Sequence, residues 1–342
     1  MKRIVTFGEI MLRLKSPHHE RFFQSPLFEA TYGGGEANVA VSLCLLGEEA
    51  SFVTALPANT IGDGAISELR RHGVDTSRIV RTKKGRVGIY FLETGANQRP
   101  SKVVYDREGS AIASARPDDF NWPALLADAS WFHVTGITPA LSQDAADSTL
   151  AAMQTARRMG LTVSIDLNYR KKLWNYGKQA PEVMGPLAEL AQVIVANEED
   201  IQKCLGIESD ADVTSGELSE SSYAQLATKV RMRYPQVEYV AITLRESISA
   251  DRNGWRAVLS GKEGFHVSPR FAIDDIIDRV GGGDSFSAGL IYGLRHMKEA
   301  DALRFAVAAS CLKHSIGGDF NLTTLDEVLT LMNGDGSGRV QR

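Results

Sequence analysis

Residues 162–200 begin Thr162-Val163-Ser164-Ile165-Asp166-Leu167-Asn168 and end Gln192-Val193-Ile194-Val195-Ala196-Asn197-Glu198-Glu199-Asp200. Two short apolar runs, at 162–165 and 192–195, read as buried strands, and helical spacing fills 183–190 and 198–205. Strand, helix, strand and helix in that order imply parallel strands with helices packed on their faces. This stretch decides the fold.

The same alternation extends outward in both directions. Strands are expected at 4–7, 50–54, 131–134 and 239–243, and helices at 37–46, 65–72, 145–159 and 223–234. Beyond Asp284 the pattern turns helical, at 285–294, 302–316 and 324–332, and Gly-rich polar residues close the chain. The fold class is therefore α/β, with a mostly parallel central sheet covered on both faces.

Two segments break the alternation. Residues 11–32 carry Pro17, Pro26 and scattered aromatics, and residues 86–106 read as two alternating strands, 87–93 and 102–105, around Thr94-Gly95-Ala96-Asn97. Both are expected as antiparallel strands outside the main sheet. They form either a lid over the strand ends, where ligands bind, or plain hairpins on the rim. The domain reading is a main unit of 1–10, 33–86 and 107–333, a β lid of 11–32 and 87–106, and a tail at 334–342.

Composition excludes several classes. At 342 residues, 43% hydrophobic and 23% charged, the chain builds a large core, and its net charge of −4 gives no basic surface for nucleic acid. No uncharged run approaches the roughly 20 apolar residues of a membrane span, and the opening residues carry no signal-peptide pattern. Cys44, Cys204 and Cys311 lie far apart on expected helices, neither a disulfide frame nor a metal cluster. A cytoplasmic protein is expected.

The chemistry centres on Asp278-Arg279-Val280-Gly281-Gly282-Gly283-Asp284-Ser285-Phe286-Ser287-Ala288-Gly289. Glycines let amides approach an anion closely, and the positive end of the following helix reinforces them. Asp284 is either a simple helix cap or a carboxylate base beside an anion hole formed by Gly281, Gly282 and Gly283. A second glycine run, Gly33-Gly34-Gly35-Glu36-Ala37-Asn38, supports the second reading, with Gly34 close to a polyhydroxy ligand and Asn38 hydrogen-bonding in both directions. A base beside an anion hole suits phosphoryl transfer to a hydroxyl. No P-loop motif occurs.

Other candidates each admit a plainer role. Arg107 and Arg170 follow expected strands and either fork a substrate carboxylate or stand on the surface. Tyr90 lies mid-strand. Asn197-Glu198-Glu199-Asp200 either orients a magnesium–phosphate assembly through water or caps a helix.

With these motifs in order, the chain resembles the ribokinase-like (PfkB) carbohydrate kinases over nearly its full length, and within them 2-keto-3-deoxygluconate kinases. Gly34-Gly35-Glu36-Ala37-Asn38 and residues 278–289 carry the two family signatures. Tyr105-Asp106-Arg107, Gly136-Ile137-Thr138-Pro139, Asp166-Leu167-Asn168-Tyr169-Arg170 and Gly318-Asp319 point to the narrower group. The resemblance implies a three-layer α/β/α sandwich with a small β lid, ATP and Mg2+ as cofactors, and a sugar acid phosphorylated at its terminal hydroxyl. It implies sugar contacts at Gly34, Tyr90, Tyr105, Arg107, Ile137 and Arg170, with Asp319 a second acid near the sugar. It also implies nucleotide contacts at Asn197 and Thr243, and a monovalent cation, K+, at Asp278.

Two departures stand out. Gly282 replaces the alanine usual in the family. Residues 243–254 form a longer, more charged loop than the usual short one, and Arg245 within it reaches the phosphates or pairs with Glu246 or Asp251. Kinases of fructose, ribose or another keto-acid, and a non-catalytic sugar sensor on the same fold, are the competing readings. A nicotinamide enzyme is disfavoured because no Gly-x-Gly-x-x-Gly turn follows the first strand. An exposed lid edge would pair two copies into a dimer.

Overall fold

The computed structural model describes residues 2–208, 220–334 and 336. The chain opens with β1 (Arg3–Phe7), then β2 (Met11–Lys15) and β3 (Glu29–Gly33) of a second sheet, and α1 (Gly35–Leu45). Next come β4 (Ala50–Val53), β5 (Ala55–Pro57), α2 (Thr60–Arg71), β6 (Val80–Thr82), β7 (Gly88–Glu93) and β8 (Lys102–Asp106). After α3 (Trp122–Leu125) the alternation becomes regular: β9 (Ala129–Thr135), α4 (Gln143–Arg158), β10 (Thr162–Asp166), α5 (Ala180–Ala188), β11 (Val193–Ala196) and α6 (Glu198–Leu205). The rest is α7 (Glu220–Arg233), β12 (Tyr239–Ser247), β13 (Asn253–Ser260), β14 (Phe265–Val267), β15 (Phe271–Ile273), α8 (Gly282–His296), α9 (Glu299–Lys313) and α10 (Leu325–Met332).

Nine strands make the central sheet, in the order β14-β13-β12-β11-β10-β9-β1-β4, with β15 also on β13. From β4 to β12 every pairing is parallel. Successive residues of each parallel strand point to opposite faces, so both must be apolar. Val5, Ile194 and Val240 join a core with α3 to α7 on one face, while their neighbours Ile4, Val195 and Ala241 join another with α1, α2, α8 and α9. This is the expected three-layer architecture. Strand order reverses at β1, which lies between β4 and β9, and in such sheets ligands settle at the carboxyl ends beside that switch point.

The segments outside the alternation form one four-stranded sheet, β3-β2-β7-β8. Each hairpin is antiparallel as expected, but β2 and β7 meet in parallel. The chain runs through α1, β4, β5, α2 and β6 between them, and such a crossover brings a strand back in the same direction. Inward residues of this sheet reach the main unit, as Arg13 does to Asp278 and Asp319, so the sheet is a cover and not a rim ornament.

Residues 243–254 correct a sequence expectation. They are a β-hairpin, not a long loop: β12 continues to Ser247 and β13 returns antiparallel from Asn253. Buried residues along β13 explain the extension, since Trp255, Ala257, Val258 and Leu259 all gain core contacts. The three cysteines are unpaired. Among the described residues no helix is long and apolar enough to cross a membrane. Most of the expected tail, 334–342, lies outside the described residues.

Candidate active site

The carboxyl ends of β9 to β12, the head of α8 and the underside of the lid enclose a cavity of about 520 Å³. That volume suits a small substrate with part of a nucleotide. Gly34, Asn38, Tyr90, Tyr105, Ile137, Arg170, Asn197, Thr243, Arg245, Asp284 and Asp319 all line it, together with Gly281 to Gly283. Thus residues scattered through the chain converge on one hollow.

Gly281 is the N-cap of α8 and lies in the left-handed region at φ 85°. A Cβ there would meet the Asp319 carbonyl oxygen at 2.1 Å, so only glycine fits. The Gly282 amide turns back to the Arg279 carbonyl at 3.3 Å, whereas those of Gly281 and Gly283 have no protein acceptor among the described residues. Asp284 is in the first turn of α8 and caps nothing. Instead its Oδ2 accepts from the Asn38 Nδ2 at 2.7 Å, and Asn38 Oδ1 accepts from the Gly34 amide at 3.1 Å. Asn38 therefore orients the carboxylate, a role beyond the ligand contact expected of it. Burial pushes the Asp284 carboxyl up to about 6; the Asn38 bond opposes this, Asp319 adds to it, and Arg170 and Lys313 also oppose it.

Below this turn lies an ionic knot that sequence reading missed. Arg13, fully buried on β2, donates to Asp319 Oδ1 at 2.6 Å and to Asp278 Oδ2. Tyr90 donates to the same Asp319 oxygen. Burial alone would lower the Arg13 pKa, but Tyr90, Asp319 and Asp278 together hold it above its ordinary value. The Asp278 carboxylate also accepts from the Gly318 and Val280 amides, at 3.2 and 3.1 Å. Lys313 Nζ donates to the Asp278 and Ile316 carbonyls at 3.3 and 2.9 Å. The expected monovalent cation at Asp278 does not fit this arrangement, because protein cations and amides already hold its oxygens.

On the opposite wall stand Arg170, Arg245 and Arg279. Arg170 donates to the Tyr169 carbonyl at 2.8 Å and has no carboxylate within 4 Å among the described residues. Arg279 holds the Ser249 and Ala250 carbonyls of the hairpin turn. Arg245 pairs with neither Glu246, which is held by Arg270, nor Asp251, which accepts from the Asn97 amide. Surrounding protein lowers the Arg245 pKa, and so do Arg279 and Arg170. Asp200 and Glu198, which line the same cavity, oppose this.

Asn197 and Asp200 cap α6 reciprocally, as the plainer reading of that motif expected, and both also line the cavity. Asp166, at the end of β10, is another wall residue that sequence reading left without a role. Burial raises its carboxyl well above the ordinary range, and Asp200 and Asp284 add to this. Burial also pushes Asp200 up to about 6, against the amides of Asn197 and Tyr169 and against Arg170. Amides already hold both Asp200 oxygens and one of Asp166, so these two cavity-lining carboxylates fit magnesium through its retained waters and not as a direct cage.

Arg107, like Asp278, does not line the cavity. It is buried, with Nε donating to Glu9 Oε2 at 2.8 Å and its guanidinium over the Tyr105 ring at 5.3 Å. It thus steadies the base of the lid and the ring of Tyr105. Nothing in the local sequence announces the partner, which is 98 positions away.

Comparison with known proteins identifies the family. The family described as pfkB family carbohydrate kinase matches residues 1–321. A 2-dehydro-3-deoxygalactonokinase from Haloferax volcanii is 34% identical over 98% of both chains. A 2-dehydro-3-deoxygluconokinase from Bacillus subtilis is 27% identical over 96% of this chain and 95% of its own. The crystal structure of 2-dehydro-3-deoxygluconokinase from Thermotoga maritima superposes with a TM-score of 0.92 at 47% identity, covering 98% of this chain and 100% of that one.

Proposed function

The chain belongs to the pfkB family of carbohydrate kinases, and we propose that its substrate is a 2-keto-3-deoxy sugar acid, 2-keto-3-deoxygluconate first, with ATP and Mg2+ as donor. One observation carries this reading. The oriented Asp284 carboxylate shares its cavity with Arg170, a guanidinium without a carboxylate partner among the described residues. A neutral sugar offers Arg170 nothing that needs a full charge, whereas a sugar acid supplies the matching carboxylate. The relatives named for the 2-dehydro-3-deoxy acids support it.

In the proposed reaction the terminal hydroxyl oxygen of the sugar attacks the γ-phosphorus of ATP and passes its proton to Asp284. The bond from that phosphorus to the bridging oxygen breaks, and ADP leaves with the electron pair. The amides of Gly281 and Gly283, with the head of α8 behind them, receive the charge of the transferring group. Arg245 and Arg279 neutralise the polyphosphate, and Arg170 and Tyr105 hold the acid end and the body of the sugar. Asp166 and Asp200 would hold magnesium through its waters, and the ion would supply charge screening for the phosphates.

The galacto epimer is a second reading, favoured by the 34% identity to the Haloferax volcanii enzyme. Arg170→Met tests the shared claim. A lost charge-assisted fork should raise KM for the keto-acid on the order of 10²-fold. Turnover of a neutral sugar such as fructose should change little. Equal losses on both substrates would remove Arg170 from carboxylate recognition.

A further inference from the structure

We infer that Lys313 is the resident monovalent cation of this kinase: its ammonium holds the turn at 278–283 from beneath, so that turnover needs no added potassium. Lys313 is the last residue of α9 and has no solvent exposure. Its bond to the Ile316 carbonyl fastens the turn that follows its own helix. The bond to the Asp278 carbonyl is different, because it crosses 35 positions to the turn that carries the anion-binding amides. Lys313 Cε also lies 3.3 Å from where a Cβ on Gly281 would stand.

A lysine needed only as a cap would leave its ammonium in water, where it is best solvated. Burial lowers the Lys313 pKa below its ordinary value and Arg13 adds to this, while Asp278, Asp319 and Asp284 oppose it. Arg13 takes the carboxylates of Asp278 and Asp319, and Lys313 takes the carbonyls of Asp278 and Ile316. Between them they occupy both kinds of oxygen that a hard monovalent cation would use. Lys313 is thus a positioning residue: it acts on the phosphoryl group through the turn. This inference rests on the proposed role of the Gly281 and Gly283 amides.

Two readouts test it. First, the wild-type kinase is assayed in potassium, sodium and tetramethylammonium chloride at equal ionic strength, and kcat should agree within about twofold. Second, Lys313→Ala should lose kcat on the order of 10²-fold with little change in KM, and recover at least about tenfold with K+ or NH4+ but not with tetramethylammonium. Its melting temperature, read without any substrate, should rise by several degrees in K+ while that of the wild type does not move. That thermal readout separates failure of this inference from failure of the substrate assignment. Strong potassium activation of the wild type overturns the inference, and so does a folded Lys313→Ala that keeps full kcat or ignores every cation. If Lys313→Ala does not fold, the wild-type salt comparison decides alone.

Discussion

Asp284 needs two properties that work against each other. It must be ionised to accept a proton, and it must sit in a cavity dry enough for the proton to matter. The Asn38 bond and the field of Arg170 keep it chargeable, while burial raises it to about 6 from an ordinary 3.8. Two consequences follow with definite sign. kcat/KM should fall about tenfold per pH unit below about pH 6 as the base protonates. The raised value also means that the folded state favours the protonated form, so ionised Asp284 costs stability above about pH 6. Asp284→Asn should therefore lower kcat by roughly 10³-fold, leave sugar affinity nearly intact, and melt slightly higher at pH 7. That thermal advantage should fade as pH drops from 6 toward 3.8. A variant that retains kcat would dismiss Asp284 as the base. At this scale the sequence announced what is local, since the glycines and Asp284 are adjacent. Arg13 stayed hidden because its partners are 265 and 306 positions away, and a lone arginine in Met11-Leu12-Arg13-Leu14-Lys15 resembles any surface strand residue.

Helix α8 turns this local chemistry into a site, because the Gly283 amide in its first turn has no protein acceptor among the described residues and Gly283 lines the cavity beside the Gly281 turn. Gly281→Ala should disrupt it twice over. The left-handed φ costs an alanine about 1–2 kcal/mol, and the new methyl would collide with the Asp319 carbonyl. We expect a loss of at least about 2 kcal/mol in urea denaturation and a kcat reduced on the order of 10²-fold. Near-wild-type values on both would mean that the turn is not rigid. Elements with a clear period were legible: β10, α6 and α8 are where their patterns put them. The β12–β13 hairpin was not, because β13 is buried on both faces and shows no alternation, while the charged residues between the strands suggest a loop. The parallel seam between β2 and β7 was equally hidden, since a strand's own pattern names the face it buries and not the partner beside it.

Across the whole molecule, the alternation of strands and helices foretold layers and a parallel sheet, and the resemblance foretold the cover. What sequence left open was the junction. The lid rests on the main unit through Arg13 and Tyr90, which end on Asp278 and Asp319 beneath the glycine turn. Lid and turn therefore share one buried ionic network, and Tyr105 of the lid lines the same cavity as Asp284. The central claim, a kinase selective for a keto-deoxy sugar acid, is tested most directly by coupled-assay kcat/KM values with Mg-ATP over 2-keto-3-deoxygluconate, its galacto epimer, fructose and ribose. The account predicts that one of the two acids exceeds both neutral sugars by at least about 10²-fold, the worth of a charge-assisted fork. Fructose or ribose turned over as well as either acid would contradict it.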